Sequence, residues 1–178
     1  MTEDVTSRFQ RPARPEDPFD RLFATEYGKV VAVAHRVLAD RAEAEDVAQE
    51  VFLDFHRRHS PDASYAPAWL HRAAVHTALN RIRSRRRRER RELADSNSRE
   101  RTAVDPQEVA QIEEDRRQVR LALSRLPRKA ASVLALRYSG LSYIEVGAAV
   151  GVGATQVGTL LRRAEQALRK EMNRGTSG

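Results

Sequence analysis

The sequence contains no cysteine among its 178 residues, which excludes disulfides, thiolate zinc sites and cysteine nucleophiles. It also has no apolar run approaching the roughly 20 residues that a membrane-spanning helix needs. The N-terminus lacks the apolar core of a signal peptide. We therefore predict no membrane insertion and a cytoplasmic location.

Strand signals are equally scarce. Few residues alternate between apolar and polar with period two, and Ala, Leu, Arg and Glu dominate, so we predict an all-α fold. We expect two small helical domains joined by a flexible acidic linker, the second domain being a helix-turn-helix. The predicted boundaries are a disordered lead-in at 1–17, an N-terminal helical domain at 18–92, a linker at 93–115 and a C-terminal domain at 116–172.

Charge is abundant but unevenly distributed. Lys and Arg number 32 against 25 Asp and Glu, and the net charge of +7 favours an anionic partner such as nucleic acid. The net charge is −4 over residues 41–56 and +8 over residues 69–91. It is −5 over the linker and +9 from residue 116 to the end. Two partners of opposite charge are indicated, a basic one for the acidic stretch and a polyanion for the rest.

The acidic stretch, Ala42–His59, is predicted to be an amphipathic helix. Its apolar residues recur at the i, i+3, i+4, i+7 spacing of one face: Ala44, Val47, Ala48, Val51, Phe52 and Phe55. Asp46, Gln49 and Glu50 lie within about one turn of each other and point the same way. A solvated helix face is the plain alternative to a docking surface.

The next helix is predicted from Ala68, after a loop at 57–67 in which Pro61 and Pro67 break any helix. Trp69 in its first turn is expected to join the core and to hold the loop against the bundle. The helix ends in a dense run of arginines, which we interpret as a phosphate-binding strip. The alternative is a frayed basic helix end with no specific partner.

The C-terminal domain carries a helix-turn-helix pattern. Ser142 and Glu145 form a capping box, and Gly151 makes the turn. The last helix presents Val157, Leu161, Ala164 and Leu168 inward. This leaves Thr155, Gln156, Thr159 and Arg162 as candidates for reading bases, and Arg163 for holding phosphate.

Three stretches in this order resemble the extracytoplasmic-function (ECF) class of bacterial RNA polymerase sigma factors. AEDVAQEVF at 44–52 is similar to their polymerase-docking helix, and WLHRAAVHTALNRIRSRRRR at 69–88 looks like their promoter-melting helix. The stretch from Leu126 to Leu168 is similar to their C-terminal helix-turn-helix.

The resemblance implies a transcription initiation factor. Its partners would be core RNA polymerase, promoter DNA and an anti-sigma factor or other regulator, with no cofactor, and it would associate with the nucleoid when bound to polymerase. Asp46, Gln49 and Glu50 would contact polymerase, and the acidic linker would lie in polymerase channels. The −10 element, as melted non-template strand, would be bound by Trp69, Arg72, His76, Asn80, Arg81, Arg83, Arg85, Arg86, Arg87 and Arg88. The −35 element, as duplex, would be bound by Thr155, Gln156, Thr159, Arg162 and Arg163.

Two regions depart from the family pattern. His76 and Asn80 stand where the family often has Asn and Asp, so base contacts at the −10 element do not transfer directly. Gly158, Thr159 and Leu160 stand where a Lys-Ser-Arg run is common, which removes two cationic contacts and predicts weak or unusual −35 reading.

Catalysis is the main alternative from another class. Asp46, Glu50 and Asp54 share a helix face, as in di-metal bundles, but the sequence has no Glu-x-x-His pair to complete such a site. His56 and His59 are spaced to share a metal but lack further ligands. No phosphate-binding Gly loop or Ser/His/Asp arrangement is visible, so we predict no catalytic or metal site. The closer rival is a helix-turn-helix regulator that binds duplex DNA without polymerase.

Overall fold

The computed structural model describes residues 17–95 and 107–175, and over these ranges the chain is helical with no strand. The helices are α1 (Pro18–Leu38), α2 (Arg41–Arg58), α3 (Ala66–Asp95), α4 (Gln107–Arg125), α5 (Arg128–Tyr138), α6 (Tyr143–Val150) and α7 (Ala154–Gly175). We call α1–α3 the first module and α4–α7 the second module. The prediction of an all-α fold with two helical domains, the second a helix-turn-helix, is confirmed.

The predicted lead-in lies almost entirely outside the described residues, as does the middle of the predicted linker. Residues 1–16 and 96–106 are not described. The linker predicted at 93–115 is helical at both ends, because α3 runs to Asp95 and α4 begins at Gln107. The exact domain boundaries stay a prediction.

The first two helices form the antiparallel pair expected from their apolar stripes. Asp17 caps α1 by accepting a hydrogen bond from the backbone N–H of Phe19 at 2.9 Å. The ring of Phe19 then lies 6.2 Å from that of Phe52 and 4.5 Å from that of His56, at the far end of α2. The start of one helix therefore packs against the end of the other, and α3 packs along both.

The start of α3 differs from the prediction. The helix begins at Ala66, so Pro67 lies in its first turn and does not break it. A proline costs little there, because the first-turn N–H groups have no partner within the helix. The buried apolar residues of the helix are Ala66, Leu70, Ala74, Val75, Ala78, Leu79 and Ile82.

The second module closes around a small core with contributions from Leu123, Leu134, Leu141, Val146 and Val157. Its buried side chains are continuous with those of the first module, since α3 contacts both α5 and α6. The two modules therefore share one apolar core.

Among the described helices, none is by itself long and apolar enough to cross a membrane. The only helix pair there that passes the length and composition test together is α6 with the Ala154–Arg174 stretch of α7, and that pair is bent by 83°.

Candidate functional site

The acidic helix α2 presents a polar outer face, as its periodicity predicted. Asp40 caps the helix by accepting a hydrogen bond from the backbone N–H of Glu43 at 2.9 Å. All six apolar residues of the predicted stripe are buried. Asp46, Gln49 and Glu50 are exposed together on the opposite side. These three side chains are thus available to one external partner, and we call them the acidic face.

Two acids of α2 reach across to α3. Glu50 Oε2 accepts a hydrogen bond from Arg81 Nη2 at 2.9 Å, and Glu43 Oε1 accepts one from Arg85 Nη2 at 2.6 Å. Arg81 Nη1 also lies 3.4 Å from the backbone carbonyl oxygen of Glu43. We call this line of contacts the α2–α3 seam. Two arginines of the predicted phosphate-binding strip are thus paired with acids of the same chain.

An open groove of about 530 Å³ lies over the seam. Its lining combines the two glutamates with cationic and hydroxyl or amide side chains of α3: Thr77, Asn80, Arg81, Ser84, Arg85 and Arg88. Hydroxyl, amide and guanidinium groups are the usual ligands of phosphate and sugar oxygens in nucleic-acid complexes. This groove brings together four of the predicted −10 contacts, Asn80, Arg81, Arg85 and Arg88. Thr77 and Ser84 also line it, and the sequence analysis had not singled them out.

The strip divides into two sides. Arg72, Arg85, Arg87 and Arg88 are exposed, whereas Arg83 and Arg86 are half-buried against the second module. Arg83 donates to the carbonyl oxygens of Ser124 and Leu126, both at 3.1 Å, and Arg86 Nη1 lies 3.5 Å from Ser124 Oγ. These groups lie at the end of α4, where helix carbonyls lack partners of their own. Arg83 is thus a contact between modules in this structure, and its role in DNA binding stays a prediction.

His76 lies on the same half-buried side of α3. Burial lowers the pKa of His76, and the positive charges of Arg128, Arg72 and Arg83 lower it further. Its imidazole is therefore neutral at pH 7 and offers hydrogen bonds, with no positive charge for phosphate.

Trp69 is part of an aromatic cluster at the start of α3. Its ring centroid lies 5.4 Å from that of Phe55 and 4.7 Å from that of His59. His59 Nδ1 in turn lies 3.3 Å from the hydroxyl of Tyr65, which is 50% exposed at the loop before α3. Trp69 packs against the core, as the sequence indicated. The sequence analysis missed Tyr65, whose exposed ring at the start of α3 is the kind of platform on which an unpaired base stacks.

The helix-turn-helix is built as its capping signals predicted. Ser142 Oγ accepts from the backbone N–H of Glu145 at 3.3 Å, and Glu145 accepts from the backbone N–H of Ser142 at 2.8 Å. Gly151 ends α6 with a positive φ of 73°, the left-handed conformation that glycine adopts at helix ends. The turn directs α7 outward, and its predicted contacts Thr155, Gln156, Thr159, Arg162 and Arg163 are all exposed.

Packing within the chain explains only part of the unusual Gly158-Thr159-Leu160 run. Leu160 is half-buried against the core, so packing accounts for an apolar residue there. A Cβ on Gly158 would lie 3.5 Å from Cε2 of Tyr143, an ordinary contact. Packing within the chain therefore does not require glycine at this position.

A polar chain joins the two modules and was not foreseen from the sequence. The side chains of Glu26 and His71 are buried, with Oε2 and Nε2 2.7 Å apart. Lys29 Nζ lies 3.4 Å from Glu26 and donates to Glu145 Oε1 at 2.9 Å. The hydrogen bond from the Ser142 backbone and the ion pair with Lys29 lower the pKa of Glu145 to about 2. The sequence does carry a signal for the burial of Glu26. This residue stands four positions from both Leu22 and Val30, on the apolar stripe of α1.

In the part of the chain that the structure describes, no group of three or more His, Cys, Asp or Glu residues is placed to hold a metal ion. Glu50 and Asp54, two of the three acids in the di-metal alternative, pair with Arg81 and Arg58.

An acidic helix, an arginine-rich helix and a helix-turn-helix in this arrangement define a helical protein of two modules. Family models match both modules: "Sigma-70 region 2" covers residues 22–88, and "Sigma-70, region 4" covers residues 116–168. The chain belongs to the sigma-70 family, in its extracytoplasmic-function class.

Named relatives agree with this assignment. The chain is 32% identical over 167 residues to the ECF RNA polymerase sigma factor SigE of Mycolicibacterium smegmatis, covering 89% of this chain and 63% of SigE. It is 26% identical over 175 residues to the ECF RNA polymerase sigma factor SigW of Bacillus subtilis, covering 88% and 90%. A similar solved structure is the sigma factor RpoE in complex with the anti-sigma factor NepR from Bartonella quintana, with 21% identity, TM-score 0.47, and coverage of 87% and 96%. The chain thus spans less than two thirds of the length of SigE.

Proposed function

We propose that this protein is a transcription initiation factor that binds core RNA polymerase and directs it to promoters. The observation that carries the proposal is the juxtaposition of an exposed acidic face on α2 with an arginine-rich α3, followed in the chain by an exposed helix-turn-helix. A regulator that binds only duplex DNA has no use for the acidic face.

The acidic face is the proposed polymerase contact. Asp46, Gln49 and Glu50 are exposed side by side on a helix whose other face is fully used by the core. A rigid helix that carries two carboxylates is complementary to a basic surface, and such complementarity gives specificity and fast association.

The arginine strip and the aromatic cluster at the start of α3 are the proposed −10 contacts. Arg85, Arg87 and Arg88 are exposed for phosphates, and Tyr65 offers a ring for an unpaired base. Single strands are bound in this way, by cationic grooves together with aromatic platforms. Helix α7, with Gln156 and Arg162 exposed, is the proposed reader of the −35 duplex in the major groove.

The protein supplies no chemistry of its own in this proposal, since phosphodiester formation belongs to polymerase. It acts in the cytoplasm and on the nucleoid while bound to polymerase, and an anti-sigma factor or other regulator controls its availability. No cofactor takes part.

The proposal is tested by transcription from fragmented genomic DNA with core polymerase, in the presence and absence of the full chain. The 5′ ends of the transcripts are then mapped. We expect the protein to concentrate these ends at a small set of positions that share sequence about 10 and 35 base pairs upstream. Transcript ends that are the same with and without the protein would contradict the proposal.

A further inference from the structure

In the α2–α3 seam, acids of α2 occupy arginines of α3 that are also candidates for binding DNA phosphate. The proposed function does not explain this pairing. Two acids of α2 pair within their own helix: Glu45 with Arg41 at 2.7 Å, and Asp54 with Arg58 at 2.9 Å. Glu43 and Glu50 instead pair with arginines of α3 that line the DNA groove.

Carboxylate and phosphate oxygens bind guanidinium in the same way, through charge-assisted hydrogen bonds from its N–H groups. Arg81 directs Nη2 to Glu50 and lies with Nη1 close to the backbone carbonyl of Glu43, so both of its terminal nitrogens face α2. An incoming phosphate must displace Glu50 to obtain the same contact.

We propose that Glu43 and Glu50 are internal competitors of single-stranded DNA, which hold Arg81 and Arg85 within the chain. The proposal rests on the proposed function, because Glu50 also belongs to the acidic face. A basic surface that docks on Glu50 thereby releases Arg81, so that polymerase docking and strand binding favour one another. By linkage, such a coupling is reciprocal.

Each competing pair should change the affinity for single-stranded DNA only slightly, because the side chains of both pairs are exposed. The side chains of Arg81 and Glu50 are 32% and 59% exposed, and those of Arg85 and Glu43 are 51% and 32% exposed. Exposed pairs of this kind change an affinity by about two- to fivefold. Glu50 is the better position to test, since its greater exposure makes its replacement less disturbing to the fold.

The first arm of the test uses the full chain without polymerase and a fluorescent oligonucleotide of deoxythymidine, with binding measured by anisotropy over a range of salt concentrations. Glu50→Gln should bind the strand about two- to fivefold more tightly than the wild type at moderate salt. The released Arg81 should also steepen the salt dependence by about 0.7, the value of one phosphate contact on a single strand.

Glu45→Gln is the matched control for this arm. It removes the same charge from the same helix, but its partner Arg41 lies outside the strip. If the two variants bind equally, loss of the seam contact has no specific effect and the proposal is wrong.

The second arm repeats the comparison with Arg81→Ala. In this background Glu50→Gln should no longer raise the affinity above the control, because the competing contact is already gone. A gain that persists would mean that Glu50 acts through its general negative field, which would overturn the proposal. Circular dichroism verifies the fold of each variant. Since neither arm contains polymerase, failure here is distinguishable from failure of the docking role.

Discussion

Two glycines of the second module have contrasting surroundings. A Cβ on Gly147 would lie 2.7 Å from the carbonyl oxygen of Val152, a backbone atom of the helix-turn-helix turn. A Cβ on Gly158 would meet only the ring of Tyr143 at 3.5 Å. Gly147 is thus required by the close approach of the turn to α6, whereas Gly158 weakens α7 without a packing reason.

We therefore predict opposite effects for alanine at these positions. Gly147→Ala should lower the free energy of unfolding by about 1–3 kcal/mol, because the turn must shift. Gly158→Ala should raise it by about 1 kcal/mol through helix propensity. Urea denaturation of both variants measures the difference, and equal effects would contradict the packing described for the turn.

The buried pair of Glu26 and His71 is another feature at the residue scale. It lies between α1 and α3, with Lys29 of α1 and Glu145 of α6 next to it. Burial lowers the pKa of His71, and the nearby Glu26 only partly opposes this effect. The folded protein consequently binds a proton at His71 less readily than the unfolded chain does.

The sign of the resulting pH dependence follows from linkage. Below about pH 6.5, the ordinary pKa of histidine, the unfolded chain gains a proton that the folded protein resists. We predict that the free energy of unfolding falls as the pH is lowered from 7.5 to 5.5, and that His71→Gln makes this fall shallower. Urea denaturation at several pH values tests the point, with the remaining histidines common to both proteins. If the free energy of unfolding fell equally with pH in the wild type and in the His71→Gln variant, then His71 would not contribute to the pH dependence.

At the scale of the element, α7 carries two kinds of proposed DNA contact. Gln156 lies in its first turn and Arg163 about two turns later, and both are exposed. We predict that Gln156→Ala weakens binding by about 1–3 kcal/mol at one base pair and relaxes the preference there, since Gln pairs bidentately with adenine. Arg163→Ala should weaken binding to all sequences about equally, as expected for a phosphate contact.

Binding-site selection with the full chain and each variant checks this assignment. If the Gln156 variant selects the same −35 sequence as the wild type with the same stringency, then Gln156 does not read a base. The Arg163 variant is the internal comparison, because it alters the same helix without the expected change in preference.

Elements with local signals could be predicted from the sequence. Helix α2 has a clean apolar stripe, and α6 has both a capping box and a glycine end, so periodicity and capping determined them. The predicted start of α3 was wrong. Pro67 was interpreted as a helix breaker, although a proline in the first turn is compatible with a helix.

At the scale of the whole molecule, the contacts that were missed join residues far apart in the chain. Lys29 and Glu145 are 116 positions apart, and Arg83 and Ser124 are 41 apart. A run of arginines in the sequence does not reveal which of them meet acids or helix ends. The composition predicted a basic strip, and the fold divides that strip among the α2–α3 seam, the second module and the solvent.

The central claim is that the acidic face of α2 docks on polymerase, and the most direct measurement is the affinity of the full chain for core RNA polymerase. Asp46→Arg with Glu50→Arg should keep the helical circular dichroism, because both side chains are exposed, and should weaken polymerase binding by at least about 30-fold. Glu45→Arg with Asp54→Arg is the matched control, with the same change of charge on the same helix, and should lose far less affinity. Wild-type affinity in the Asp46 and Glu50 double variant, with its fold intact, would contradict the account.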